Sequence, residues 1–123
     1  MEKSFTNKEL VVVFEKLETA TAKDVVLPSK VSYKIVKNKI AIQQALQPFE
    51  TTRTEIIRQI SGGKEAVTYD ESPREYNEII AAIKDIENEC SSVEIATIKF
   101  DDIPAEGVPI SFIAALEFMI EEE

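Results

Sequence analysis

The strongest constraint on this chain is an apolar stripe that stays in helical phase from Val31 to Ile60. Val31, Ile35, Ile42, Leu46, Phe49, Ile56 and Ile60 recur at spacings of three, four or seven, which places them on one face of an α-helix. Ile40 and Ile57 lie beside the stripe. Pro48 falls inside it, where a proline removes one hydrogen bond and clashes with the preceding turn. The helix therefore kinks there or splits near Gln47, and the unbroken phase favours one long, kinked or briefly broken helix. Leu27-Pro28 marks its upstream boundary, because the residue before a proline disfavours α conformation, and Pro28 or Ser29 opens it. Ser61-Gly62-Gly63 stops it.

Other segments read as shorter elements. Thr6-Asn7-Lys8-Glu9 has the form of a capping box, and Leu10, Val13, Phe14 and Leu17 follow at helical spacing, predicting a helix over 7–19. The β-branched run Val11-Val12-Val13 also suits a strand. Residues 62–71 read as an exposed loop. Ser72-Pro73-Arg74-Glu75 combines a serine cap, proline at the first helical position and a capping-box glutamate. Tyr76, Ile79, Ile80, Ile83, Ile86 and Cys90 then predict a second long helix over 73–90. From Val93 to Phe100 the period changes to two, predicting a strand. Its partner is left open between the N-terminal residues, the 64–69 segment and a second subunit. Pro109 opens a last helix carrying Ile110, Ile113, Leu116, Phe118 and Ile120. The end Glu121-Glu122-Glu123 places negative charge where a helix dipole opposes it.

These elements predict one α+β, mostly helical domain over 1–123. Two long helices form an antiparallel hairpin, flanked by short helices and a small β element. The expected core is Phe14, Leu17, Ile35, Ile42, Leu46, Phe49, Ile79, Ile83, Ile86, Ile95, Phe112 and Leu116. Narrow apolar stripes on long helices bury their remaining width against a second subunit, which points to a homodimer.

Composition removes most chemistries. The chain has no histidine and one cysteine, so imidazole catalysis and zinc sites of the usual composition are excluded. Its three glycines cannot build a phosphate-cradling loop. No run approaches the roughly 18 apolar residues of a membrane span, and the N-terminus lacks the layout of a secretion signal. A lone Cys90 suits a reducing cytosol. It reads as a core or interface thiol, because no basic neighbour activates it. The expectation is a non-enzymatic protein with no cofactor, no metal and no membrane partner.

Charge divides the chain. Residues 1–60 hold 10 Lys and Arg against 7 Asp and Glu, and residues 61–123 hold 4 against 16, for a net charge of −9. The halves can attract each other within or between chains. Lys30, Lys34 and Lys37 share one helix face, near Lys23 and Lys39, in a stretch without acids from Asp24 to Glu50. A phosphate-contacting stripe has this form, but so does a solvated face, and the acidic whole disfavours nucleic acid as a partner.

Glu71, Glu75, Glu78, Asp85, Asp101 and Asp102, with Glu87, Glu89 and Glu94, form a candidate acidic face. It either mimics a nucleic-acid backbone toward a basic protein or serves solubility. Asp101, Asp102 and Glu106 are weak candidates for a hard cation, since adjacent aspartates point apart. Glu75 reads as a cap partner rather than a general base. Tyr33, Tyr69 and Tyr76 are too dispersed to stack bases and read as core-edge residues.

Several segments together resemble a family of small uncharacterised proteins encoded by tailed phages and prophages of Gram-positive bacteria. They are Phe5-Thr6-Asn7-Lys8-Glu9-Leu10, Leu27-Pro28-Ser29-Lys30-Val31-Ser32-Tyr33-Lys34-Ile35-Val36-Lys37-Asn38, Glu75-Tyr76-Asn77-Glu78, Val93-Glu94-Ile95 and Phe118-Met119-Ile120-Glu121-Glu122. The resemblance implies a helical hairpin with a small β element, in a protein of the host cytoplasm or the virion. It carries over no catalytic residue. The function expected is binding of a host or phage protein: inhibition of a host defence or nucleic-acid enzyme through the acidic half, or an accessory role in phage assembly.

Overall fold

A computed structural model describes residues 1–121. The chain runs through β1 (Glu2–Thr6), α1 (Asn7–Thr21), α2 (Ser29–Ser61), α3 (Pro73–Glu87), β2 (Cys90–Glu94) and α4 (Ile110–Ala115), with 3₁₀ turns at Phe100–Asp102 and Glu117–Met119. It is an α+β, mostly helical fold with one two-stranded antiparallel sheet. Among the described residues, no helix is long and apolar enough to cross a membrane.

The capping box at Thr6 forms as the sequence predicts. The Glu9 N–H donates to Thr6 Oγ1 at 3.1 Å, and the Thr6 N–H donates to Glu9 Oε1 at 2.9 Å. Two orphan donors are thereby satisfied at the point where β1 becomes α1. Asn7 fixes that corner to the far end of α3. Its N–H donates to the Glu89 carbonyl at 3.0 Å and its Nδ2 to the Ile86 carbonyl at 2.9 Å.

α2 is one helix of 33 residues with Pro48 inside it, roughly 50 Å at 1.5 Å per residue. Pro48 and Gln44 are both exposed, so water can take the carbonyl that proline leaves free. Gly62 ends the helix at φ +73°, in the left-handed region that favours glycine. Val31, Ile35, Ile42, Leu46 and Phe49 are buried. The stripe then thins, and Ile56 and Ile60 are only partly covered.

The β element differs from the expected strand over 93–100. β2 ends at Glu94 and pairs with β1, with Lys3 opposite Val93 and Phe5 opposite Ser91. The partner is thus the N-terminal segment. Met1 and Ile95 extend the pairing by two bonds of 2.9 Å, and beyond them, where no residue of the N-terminal segment stands opposite, Asn38 binds both backbone groups of Ala96. Beyond it, Ile98 forms a short parallel bridge with Ile120.

α3 also ends earlier than predicted, at Glu87, with Asn88 as its cap. Cys90 consequently opens β2 and is exposed, not a core thiol at a helix end. The last helix stops at Ala115 rather than reaching Ile120, because Ile98 holds Met119 and Glu121 by backbone bonds of 2.9 and 2.7 Å. Ile110, expected on its apolar stripe, is 86 % exposed. Glu121 lies in this bridge and not at a helix end, so no helix dipole opposes it. Glu122 and Glu123 lie outside the described residues.

Most of the expected core is buried: Leu17, Ile35, Ile42, Leu46, Phe49, Ile79, Ile83, Ile95, Phe112 and Leu116. Phe14 and Ile86 are only partly covered, at its edge. Phe5, Leu10, Val93, Ile98, Ile103 and Met119 join the core. Each large apolar side chain so buried contributes about 1.5–3 kcal/mol.

Candidate functional site

The acidic candidates fall in two places. Glu75, Glu78 and Asp85 lie on α3 at i, i+3 and i+10, and this spacing puts them on one side of the helix. Glu71 is exposed on the preceding turn, where its N–H donates to Thr68 Oγ1 at 3.3 Å. Asp101 and Asp102 sit elsewhere, on the 3₁₀ turn. Asp102 Oδ2 accepts the Lys99 N–H at 2.9 Å and so caps that turn.

Glu75 departs from its expected role. Ser72 Oγ accepts the Glu75 N–H at 3.4 Å, which is half of a capping box. The Ser72 N–H donates instead to the Thr68 carbonyl at 3.2 Å, so the Glu75 carboxylate is not its partner. Glu75 Oε2 is buried and has no hydrogen bond. The rings of Tyr69 and Tyr76 meet edge to face at 5.8 Å, holding the loop against the start of α3.

The basic face is divided as well. Lys34 is half-buried and its Nζ donates to the Thr97 carbonyl at 2.9 Å, so this lysine ties α2 to the chain beyond β2. Lys30 and Lys37 are exposed. Lys23 Nζ donates to Ser111 Oγ at 3.0 Å, and Lys39 Nζ lies 3.5 Å from Thr21 Oγ1. Lys30 and Lys34 line a cleft of about 420 Å³ with Asp101 and Asp102. This brings basic and acidic candidates into one place, yet no ion pair within 4.0 Å joins them among the described residues.

Among the described residues the two halves of the chain meet in one direct ion pair, through the amino terminus, and in none through a lysine or arginine side chain. Among the described residues the ion pairs are Arg74–Glu78 at 3.4 Å, within α3, and the amino terminus with Glu94 at 2.9 Å. Both are exposed, and such pairs contribute little. Among the described residues, no lysine or arginine of residues 1–60 pairs with a carboxylate of the acidic half. No three carboxylate or thiol groups converge on a metal site among the described residues, so Asp101, Asp102 and Glu106 are not brought together as ligands.

One surface was missed by the sequence reading. Tyr33, Val36 and Ile40 are 68, 55 and 50 % exposed. They follow each other at i, i+3 and i+7 on the side of α2 opposite its buried stripe. Tyr33 is thus no core-edge residue, and Tyr69 is also exposed. The signal was present as a second apolar periodicity, masked by the longer first one. A shallow groove of about 480 Å³ between α1 and α4 is floored by Ala20, Ala114 and Ala115 and edged by Lys16 and Lys23.

Comparison with family models, with characterised proteins and with solved structures finds no match to this chain.

Proposed function

We propose that this chain is a non-enzymatic protein-binding protein that presents the acidic side of α3 to a basic surface of its partner. The observation that carries the reading is the exposed acidic charge along one side of α3. Glu78 and Asp85 are exposed; Glu78 pairs with Arg74 of its own helix at 3.4 Å, and among the described residues no ion pair reaches Asp85. Net acidic charge on a surface speeds encounter with a complementary surface and sets its register.

We read α2 and α3 as an antiparallel hairpin with the loop 62–72 at its tip. The bonds from Asn7 to Ile86 and from Asn38 to Ala96 support this, since they place the end of α3 beside the first part of the chain. On this reading, and with the resemblance to phage and prophage proteins, the partner is a host defence or nucleic-acid enzyme. Its basic channel receives the acidic face in the host cytoplasm. The exposed strip Tyr33, Val36 and Ile40 favours a second reading, an accessory role in the virion or its assembly.

The experiment is affinity capture with the tagged chain from phage-infected cells, washed at moderate and at high salt. A basic enzyme that is lost at high salt, and lost with Glu78→Lys/Asp85→Lys, supports inhibition. A phage structural protein held through high salt supports assembly. Capture unaffected by the charge reversal overturns the acidic-face reading.

A further inference from the structure

We propose that the outer edge of β1 accepts an extended, basic segment of a partner protein as a third strand. The hydrogen-bond parity of the sheet singles out this edge. Met1 and Ile95 exchange two bonds of 2.9 Å, and the Asn7 N–H donates to the Glu89 carbonyl at 3.0 Å. Bonded and non-bonded pairs alternate along an antiparallel ladder. Met1, Lys3, Phe5 and Asn7 therefore turn their backbone groups toward β2, and Glu2, Ser4 and Thr6 turn theirs outward. The Thr6 N–H accordingly goes off the ladder, to Glu9 Oε1 at 2.9 Å. Glu2 and Ser4 are exposed, and among the described residues nothing outside the ladder bonds their N–H or carbonyl groups. The outer edge of β2 is not equivalent, because α2 packs against β2 and its Asn38 takes both groups of Ala96.

An unpaired row of N–H and carbonyl groups is a template for an added strand. The charges around it select which strand. The outward face of the sheet carries Glu2, Ser4 and Thr6 opposite Glu94, Ser92 and Cys90, with no lysine or arginine. Glu94 is already paired with the amino terminus, whereas Glu2 has no ion pair among the described residues. Lys3 lies on the other face, where its Nζ donates to the Phe118 carbonyl. At the far end the exposed Glu9 carboxylate caps Thr6, so the open stretch over 2–4 lies between two carboxylates. A second copy would bring its own Glu2 and Glu9 against them, and the net charge of −9 adds to that repulsion. A nucleic acid cannot continue a backbone ladder. An extended segment with lysine or arginine at alternate positions does, and it sets a basic side chain next to Glu2 across the strands. This contact is separate from the acidic side of α3 and uses none of its residues.

The test is an NMR titration of the isotope-labelled full chain, without an N-terminal tag, at about 50 mM salt, where screening is weak. The probe is a short capped peptide of alternating lysine and valine. The expected result is saturable shifts centred on the Glu2, Lys3 and Ser4 amides. The same peptide N-methylated at the residues facing the edge binds at least about tenfold more weakly, the scale of one interface hydrogen bond lost. Ser4→Pro, which removes an N–H that β2 does not use, has the same effect, and circular dichroism confirms its fold. Glu2→Lys weakens binding about threefold, the scale of one cross-strand charge pair. Glutamate in place of lysine in the peptide abolishes binding, and Glu78→Lys/Asp85→Lys leaves it unchanged. Absence of binding overturns the proposal, as does binding that N-methylation leaves unchanged. Neither result bears on the proposed function, which rests on Glu78 and Asp85. Shifts centred on α3 in place of β1 overturn the edge and leave the acidic side of α3 as the binding face.

Discussion

Asn38 holds Ala96 by both of its backbone groups. Its Oδ1 accepts the Ala96 N–H at 2.7 Å, and its Nδ2 donates to the Ala96 carbonyl at 2.8 Å. Asn38 is fully buried on the core side of α2, and its Nδ2 also lies 3.4 Å from Met119 Sδ. One amide thus stands in for a neighbouring strand just beyond β2 and joins the long helix to the C-terminal segment. Asn38→Ala leaves the Ala96 N–H and carbonyl without partners, which costs about 1–3 kcal/mol for each buried group. Urea unfolding is expected to show a loss of about 2–5 kcal/mol. A loss below about 0.5 kcal/mol, the range of an ordinary surface change, contradicts this role.

Pro48 interrupts the hydrogen bonding of α2 without ending the helix. Proline in a helix interior is about 3 kcal/mol less favourable than alanine. Part of this is relieved where Pro48 and Gln44 are exposed and water can take the free carbonyl. Pro48→Ala is expected to raise the stability by about 1–3 kcal/mol, seen as a higher urea midpoint at an unchanged slope. A fall in stability would show that the proline shapes α2 to fit its neighbours.

The two serine/threonine caps differ in completeness, and their deletions should differ in cost. Thr6 makes both bonds of its box, whereas Ser72 makes one, at 3.4 Å. Thr6→Ala is expected to cost about 1–2 kcal/mol and Ser72→Ala nearer 0.5 kcal/mol, within the range of N-cap deletions. Chemical denaturation of the two variants side by side gives the order, and the reverse order contradicts the assignment.

Cys90 is exposed at the start of β2. An aromatic disulfide reagent should therefore label it stoichiometrically in the folded protein, without denaturant. Labelling only after unfolding would place the thiol in a core or a subunit contact.

Local patterns made the helices legible. The phase of Val31, Ile35, Ile42, Leu46 and Phe49 marked the buried side of α2, and Thr6 with Glu9 marked the start of α1. Each such signal lies within one element, where side-chain spacing maps onto one face. The acidic side of α3 was legible for the same reason, through Glu75, Glu78 and Asp85. The separation of Asp101 and Asp102 from that side was not, because it depends on where the chain passes after β2.

Sequence by itself determined the helical character of this protein, its charge division and most of its core. Tertiary structure alone decided that β1 pairs with β2, that Lys34 serves as a tether and that Glu75 is no capping partner. It also decided which of the apolar residues of α2 stay in water. The reason is common to all of these: each depends on hydrogen bonds or burial between residues far apart in the chain. The Asn38–Ala96 clamp spans 58 positions, and no local periodicity records such a contact.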